Sequence, residues 1–398
     1  MDDCRNFNIG KLNKVFTLLM ISFPILSLYA TPIPRISVAD LILIIIYPIL
    51  IIQLLKKNNS INKTISFSVF IFVLYIIVQF LITILVSNKM ETYEVILNTL
   101  RYSFYLITLA LFSKTFFQIQ FAKIVLKKIT IFTSIYLIIQ FSLFSLFGYY
   151  LRGSIPNLRL QVDTLTEIYS RYIQGYYIRA HSIFAEPSHF AIYVLPYLMI
   201  SLKGEKSKLA EYMPAIIISI AVLIAQSSTG IIMSILIWFM WYLERFFSKG
   251  ISKKKIVFLL LSIIFIPVLL MIITKTNSFD FFLDRTFSSG SLGEAAYRRL
   301  GNEVIFNDLL NKSSYHLLFG QGMVNLQTYI PGLTRILIFF GISGLVLFLA
   351  MLIRLYIIGN RLQKEILIIF LILNIGTEIL FGNFIFIYLP FLLVHDKR

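Results

Sequence analysis

The stretch TISFSVFIFVLYIIVQFLITILV, residues 64–86, runs for 23 positions without a single charged side chain. Hydrocarbon about 30 Å thick is crossed by roughly 20 apolar residues wound as a helix. Only helices and closed barrels satisfy their backbone polar groups in lipid, and a run this long and unbroken points to a helix. Working outward, similar blocks lie near 15–31, 36–55, 95–117, 121–147, 183–202, 209–228, 229–247, 255–274 and 331–358. A last stretch, 365–394, is interrupted by Gly376, Glu378, Gly382 and Asn383, which suggests a tight hairpin of two short helices. The expected fold class is therefore an all-α polytopic membrane protein of about 12 transmembrane helices, eleven at the least, forming a single integral membrane domain over 1–398.

Composition agrees: 58% of the residues are hydrophobic and 14% charged. The N-terminal basic-then-apolar pattern imitates a signal peptide but is read as the first span. A formal charge of +17 would suggest nucleic acid in a soluble chain. Here the basic residues flank spans, where they set orientation, so no nucleic-acid partner is expected. The single cysteine, Cys4, leaves no intramolecular disulfide and no cysteine metal site. The His-to-Glu spacings match no strong zinc pattern, so no metal is expected.

Lysine and arginine divide unequally. Segments 11–14, 56–63, 114–128, 203–208, 245–255 and 354–364, with Arg5, Lys397 and Arg398, carry 23 of the 36 basic residues, 18 Lys and 5 Arg. Assigned to the cytoplasm, they place both termini there. The opposite side holds 3 Lys and 10 Arg. Lysine suffices for orientation, whereas the planar arginine fork grips phosphate or carboxylate through two bonds at once. That face is expected to hold an anion, although arginines also snorkel to lipid headgroups. Two extracytoplasmic loops are long, 148–182 and 275–330, and Ser291 with Glu294 marks the start of a short amphipathic helix in the second.

RAHSIFAEPSHFAIY, 179–193, sets two histidines, an arginine and a glutamate at the mouth of the sixth span. Pro187 marks a first helical turn, where its missing donor is not needed. Glu186, His189 and Tyr193 then share one face, which should look at a cavity or another helix and not at lipid. The plainer alternative is a helix-capping glutamate with interfacial histidines. Arg298 and Arg299 are candidate anion ligands, or surface partners of Glu294 and Glu303 at helical spacing. Arg335 and Arg101 lie among apolar residues near the outer ends of their spans and need an anionic partner, either Glu186 or a ligand phosphate. QSSTG, 226–230, caps the eighth helix or lines a polar pocket, and FGQG, 319–322, is a glycine-rich turn too short for a phosphate loop.

Taken together, R-A-H-S-I-F-A-E-P-S-H-F at 179–190, S-S-T-G at 227–230, R-R-L-G-N at 298–302 and L-F-G-Q-G at 318–322 give the chain its likeness. It resembles the bacterial O-antigen polymerase and ligase superfamily, most closely the Wzy-type polymerases of O-antigen and capsule repeat units. The resemblance covers about 150–350. It implies a membrane-embedded glycosyltransferase of the bacterial inner membrane, working at the outer surface on a polyprenyl-diphosphate-linked oligosaccharide, among membrane lipids, with a chain-length regulator as a further partner and no cofactor. By the same resemblance, Arg179 matches the arginine before the E-P motif, Glu186 its acid and Arg298 or Arg299 a later loop arginine; these arginines, together with Arg335 and Arg101, are the expected diphosphate ligands. Glu186 and His189 are catalytic, Glu186 as base or as the residue that aims an arginine. Related ligases carry an arginine in the hinge where this chain has Ser227, Ser228 and Thr229, and a histidine where it has Pro331, Gly332 and Leu333. A ligase, or a flippase of lipid-linked oligosaccharide, is the alternative.

Overall fold

The computed structural model describes residues 2–56, 66–86, 92–155, 158–161, 173–174, 177–203, 209–248, 314–324, 326 and 330–394. The ninth expected span (255–274), the amphipathic helix of the second loop, Arg298 and Arg299 lie outside them.

Long apolar runs become helices because the chain offers the backbone no other partner in lipid. They are α1 (Asp2–Leu26), α2 (Val38–Lys56), α3 (Phe67–Val86), α4 (Thr92–Phe116) and α5 (Ile119–Phe147). A two-residue antiparallel pair follows, β1 (Ile173–Gln174) with β2 (Tyr177–Ile178). Next come α6 (Pro187–Leu202), α7 (Met213–Ile224), α8 (Ser228–Ser248), α9 (Ser314–Phe319), α10 (Gly332–Ile358), α11 (Arg361–Gly376) and α12 (Ile385–Leu393). Six helices, α2, α3, α4, α5, α8 and α10, are long and apolar enough to cross a membrane alone. This is a helical membrane protein, but its helices are less uniform than the apolar blocks suggest. With 12 residues, α7 rises only about 18 Å, and α12, with 9, about 14 Å.

The nine-residue α12 is also the most enclosed. Every residue of α12 is buried, packed among α1, α4, α6 and α11. Its Phe386 stacks on Phe23 at 3.8 Å and meets Tyr105 edge-on at 5.0 Å. Tyr388 donates to the Ile192 carbonyl at 2.8 Å, and Tyr193 donates to that of Ile21 at 3.1 Å. In lipid the hydrophobic effect does not hold helices together, so close packing and such bonds must.

The two ends of the bundle differ in chemistry. At the lysine-rich end, Lys203 pairs with Glu244 at 2.6 Å and with Glu365, and Arg361 reaches Glu244 at 3.2 Å and Glu365 at 3.5 Å. These bonds tie α6, α8 and α11 together. At the arginine-rich end, Arg35 meets Glu94 at 3.2 Å across the starts of α2 and α4.

One span is broken. Gly341 has φ 66 and ψ −168 inside α10, a conformation open essentially to glycine alone. It lies nine residues in from Gly332, about 14 Å along the axis and so near mid-membrane. Three carbonyls before the break, those of Ile338, Phe339 and Phe340, find new partners. Gln321 N–H donates to Ile338 at 2.9 Å and Gly322 N–H to Phe339 at 3.0 Å. Gln79 also donates to Phe339, at 3.2 Å, and Tyr75 to Phe340, at 2.6 Å. The FGQG turn is therefore a strap seated in the break. Its fit requires both glycines: a β-carbon on Gly320 would come 2.3 Å from the Phe339 carbonyl oxygen, and one on Gly341 would come 2.3 Å from that of Leu318.

Candidate functional site

Glu186, itself extended, directly precedes α6 and Pro187 takes the first helical position, as the sequence indicates. The Glu186 carboxylate does not cap the helix; it accepts from the Ser188 hydroxyl at 3.0 Å. His189, half-buried one turn along, packs on the Phe384 ring at 5.3 Å and has no hydrogen-bond partner among the described residues. With Tyr193 bonded to α1, the Glu186–His189–Tyr193 face looks at protein, and the cost of a polar face in hydrocarbon is avoided.

Gln140 of α5 holds the strand of chain leading into this mouth. Its side-chain oxygen accepts the N–H groups of His181 and Ser182 at 3.1 and 3.0 Å, and its amide donates to Leu151 at 2.6 Å. Ser182 takes a left-handed φ of 58, uncommon for a residue with a β-carbon. The Ser182 hydroxyl bond to the Thr133 carbonyl at 2.8 Å helps hold it there. Gly153 is required beside it, since a β-carbon would fall 1.9 Å from the Ser182 carbonyl oxygen.

His181 is buried between two oxygens, the Phe184 carbonyl at Nδ1 and Tyr150 Oη at Nε2, 2.8 Å away. A carbonyl only accepts, so Nδ1 carries the proton and Nε2 receives the tyrosine hydroxyl. Burial pushes the imidazole pKa down to about 4, more than the Phe184 bond and the Glu186 charge raise it. His181 is thus a neutral strut. The cavity of about 50 Å³ beside it, lined by Tyr29, Tyr150, His181 and Phe184 among others, has room for water.

Arg179 reaches across to the link between α7 and α8, donating to the Gln226 carbonyl at 3.4 Å. Gln226 is itself left-handed, φ 51. Ser227 Oγ then accepts from the Gly230 N–H at 3.2 Å, the cap that QSSTG suggested.

Arg101 and Arg335 both have carboxylate partners, though Glu186 is neither of them. Arg101 donates to Asp40 at 2.6 Å and to Tyr105 Oη at 2.7 Å. Asp40 also accepts from Tyr105 and from the Ser37 N–H and hydroxyl at 2.9 and 2.8 Å. Ser37 and Asp40 cap α2 reciprocally, so the S-V-A-D pattern was the available signal for this residue. The carboxylate side chain is 8% exposed and the arginine 39%, so Asp40 anchors a guanidinium that still faces outward. Arg335 pairs with Glu378 between the rings of Phe339 and Phe381, 5.8 and 5.9 Å from its centre.

The turn between α11 and α12, residues 377–384, joins these parts. Its Glu378 holds Arg335, its Phe381 packs on Tyr102 at 5.0 Å beside Arg101, and its Phe384 carries His189. The Thr377 carbonyl also accepts the Gly332 N–H at 2.9 Å, which binds the N-terminal half of α10 to the same turn. Two of the residues singled out from the sequence, Arg335 and His189, therefore meet one turn, Tyr102 beside Arg101 packs on it too, and Arg179 with Glu186 stands at the neighbouring mouth of α6. No protein-family model matches the chain, and no curated protein matches it.

Proposed function

We propose that this protein is a polymerase of lipid-linked oligosaccharide repeat units, a membrane glycosyltransferase of the bacterial cytoplasmic membrane. In this reading both termini are cytoplasmic, twelve spans cross the bilayer, and 148–182 and 275–330 lie outside. The hydroxyl of an incoming lipid-linked unit attacks the anomeric carbon of the growing chain. The new glycosidic bond forms as the bond to diphosphate breaks, the hydroxyl proton passes to a base, and polyprenyl diphosphate departs. The chemistry needs a proton acceptor and fixed cations at the leaving group.

The observation that carries the reading is the meeting of Arg335 and His189 on the 377–384 turn, with Tyr102, the residue after Arg101, packed on the same turn. Asp40 and Glu378 take the part of arginine partners, which leaves Glu186 for the proton, with His189 beside it. Arg179 completes the cationic wall, with Arg298 and Arg299 proposed to join it from the second loop. Deleting the gene should leave single repeat units on the lipid carrier or its final acceptor, with no long chains. Arg179→Lys and Glu186→Gln, at normal expression, should shorten chains; full length in both would refute their roles.

A flippase of lipid-linked oligosaccharide is the second reading. The break at Gly341 favours it, because discontinuous helices near the midplane mark many transporter sites. Accumulation of unflipped units on the inner leaflet after deletion would decide for it.

A further inference from the structure

Of the buried polar groups with no hydrogen-bond partner among the described residues, which include Trp241 Nε1, one belongs to a tyrosine packed against the 377–384 turn. Tyr102 follows Arg101 on α4, is 4% exposed, and lays its ring on Phe381, the ring that the Arg335 guanidinium also covers. Its hydroxyl meets no hydrogen-bond partner among the described residues. Ser103, Ser113, Thr130 and Ser134 share that condition, but they lie on helices, where a rotation about χ1 brings the oxygen to the carbonyl one turn back. Tyrosine has no such recourse, because its rigid ring carries the oxygen far from its own backbone. Phenylalanine would fill the same space without burying an unanswered donor. A buried polar group of this kind calls for an explanation, and a ligand that completes it is one.

The surroundings indicate which ligand. One arginine, Arg335, lies over the aromatic ring that Tyr102 packs on, and Arg101 precedes Tyr102 on the same helix, so the fitting acceptor is an anion rich in oxygen. We propose that Tyr102 is a substrate-binding residue whose hydroxyl donates to a phosphate oxygen of the lipid-linked diphosphate drawn in by Arg101 and Arg335. The inference rests on the polymerase reading and names one more contact in its site. The same chemistry could come from a phospholipid headgroup, so the test separates the two sources.

Tyr102→Phe is compared with the unaltered full chain in detergent, by thermal unfolding with and without added polyprenyl diphosphate, and separately with phosphatidylglycerol. Without ligand, the variant should unfold at the same temperature or higher. Polyprenyl diphosphate should stabilise the unaltered protein, and Tyr102→Phe should lose most of that shift. In a chain-extension assay, its KM for the lipid-linked donor should rise about tenfold with kcat little changed. A variant that unfolds earlier without ligand would show that the hydroxyl has a partner in the protein, and would overturn the inference. So would retention of the full ligand shift, or an equal Tyr102-dependent shift with phosphatidylglycerol. If Tyr102→Phe extends chains normally while Arg179→Lys does not, the inference falls and the polymerase reading stands. If the unaltered protein neither extends chains nor responds to polyprenyl diphosphate, both fall.

Discussion

Replacing Gly341 by alanine tests the broken span. At φ 66 and ψ −168 an added β-carbon costs about 1–3 kcal/mol in backbone strain alone. It would also lie 2.3 Å from the Leu318 oxygen, 2.4 Å from the Leu318 carbonyl carbon and 2.6 Å from the Phe319 nitrogen. All three are backbone atoms, so no side chain can swing aside. Relief requires the 318–322 strap to withdraw, breaking the bonds from Gln321 and Gly322 to the carbonyls of Ile338 and Phe339. In hydrocarbon each abandoned group costs about 1–3 kcal/mol. Counting one group for each of the two bonds, the sum is about 3–9 kcal/mol, a fall in unfolding temperature of about 4–11 °C for a chain of this size. The assay is thermal unfolding in detergent, with Gly376→Ala as the control, because nothing lies within 4 Å of a β-carbon there. The control should be neutral or slightly stabilising. If Gly341→Ala behaves like Gly376→Ala, then α10 is continuous and the strap does not sit in it.

Three further outcomes follow from the contacts at the two ends. Asp40→Ala, which strips Arg101, Tyr105 and Ser37 of their shared acceptor, should cost about 3 kcal/mol, with Tyr105→Phe costing about 1 kcal/mol, measured by unfolding in detergent. His181 has a folded pKa near 4 against an ordinary value of 6.5, so the unfolded chain binds its proton first on acidification. Its contribution, about 3 kcal/mol, is full above pH 6.5 and is lost as pH falls from there to 4; His181→Asn should flatten that part of the stability–pH curve. Lys203→Met leaves Glu244 and Glu365 facing each other with Arg361 alone between them. It should destabilise by about 2 kcal/mol, and Lys203→Arg should recover most of the loss.

Much of the bundle was legible because hydrocarbon leaves a chain so few options. Uninterrupted apolar runs gave α2 through α5, α8 and α10, and the Gly376–Asn383 interruption gave the hairpin now seen as α11 and α12. Pro187 gave the start of α6, since its ring suits a first turn and little else. Contacts were harder to read. Asp40 lies 61 residues from Arg101, and its S-x-x-D cap was the only local sign that it was more than an interfacial acid. Gly341 looked like any small residue in a transmembrane run, and FGQG like a loose turn. Their meaning arises only when the two backbones meet, which no local pattern encodes. Glu378 read as an interruption of an apolar stretch, and nothing local pointed to Arg335, 43 residues away, as its partner.

The most direct test of the central claim uses the purified protein in vesicles supplied with lipid-linked repeat units and no nucleotide sugar. The account predicts a ladder of lengthening glycans with release of polyprenyl diphosphate, lost in Glu186→Gln and weakened in Arg335→Lys. Movement of intact repeat units across the bilayer, with no lengthening, would contradict it.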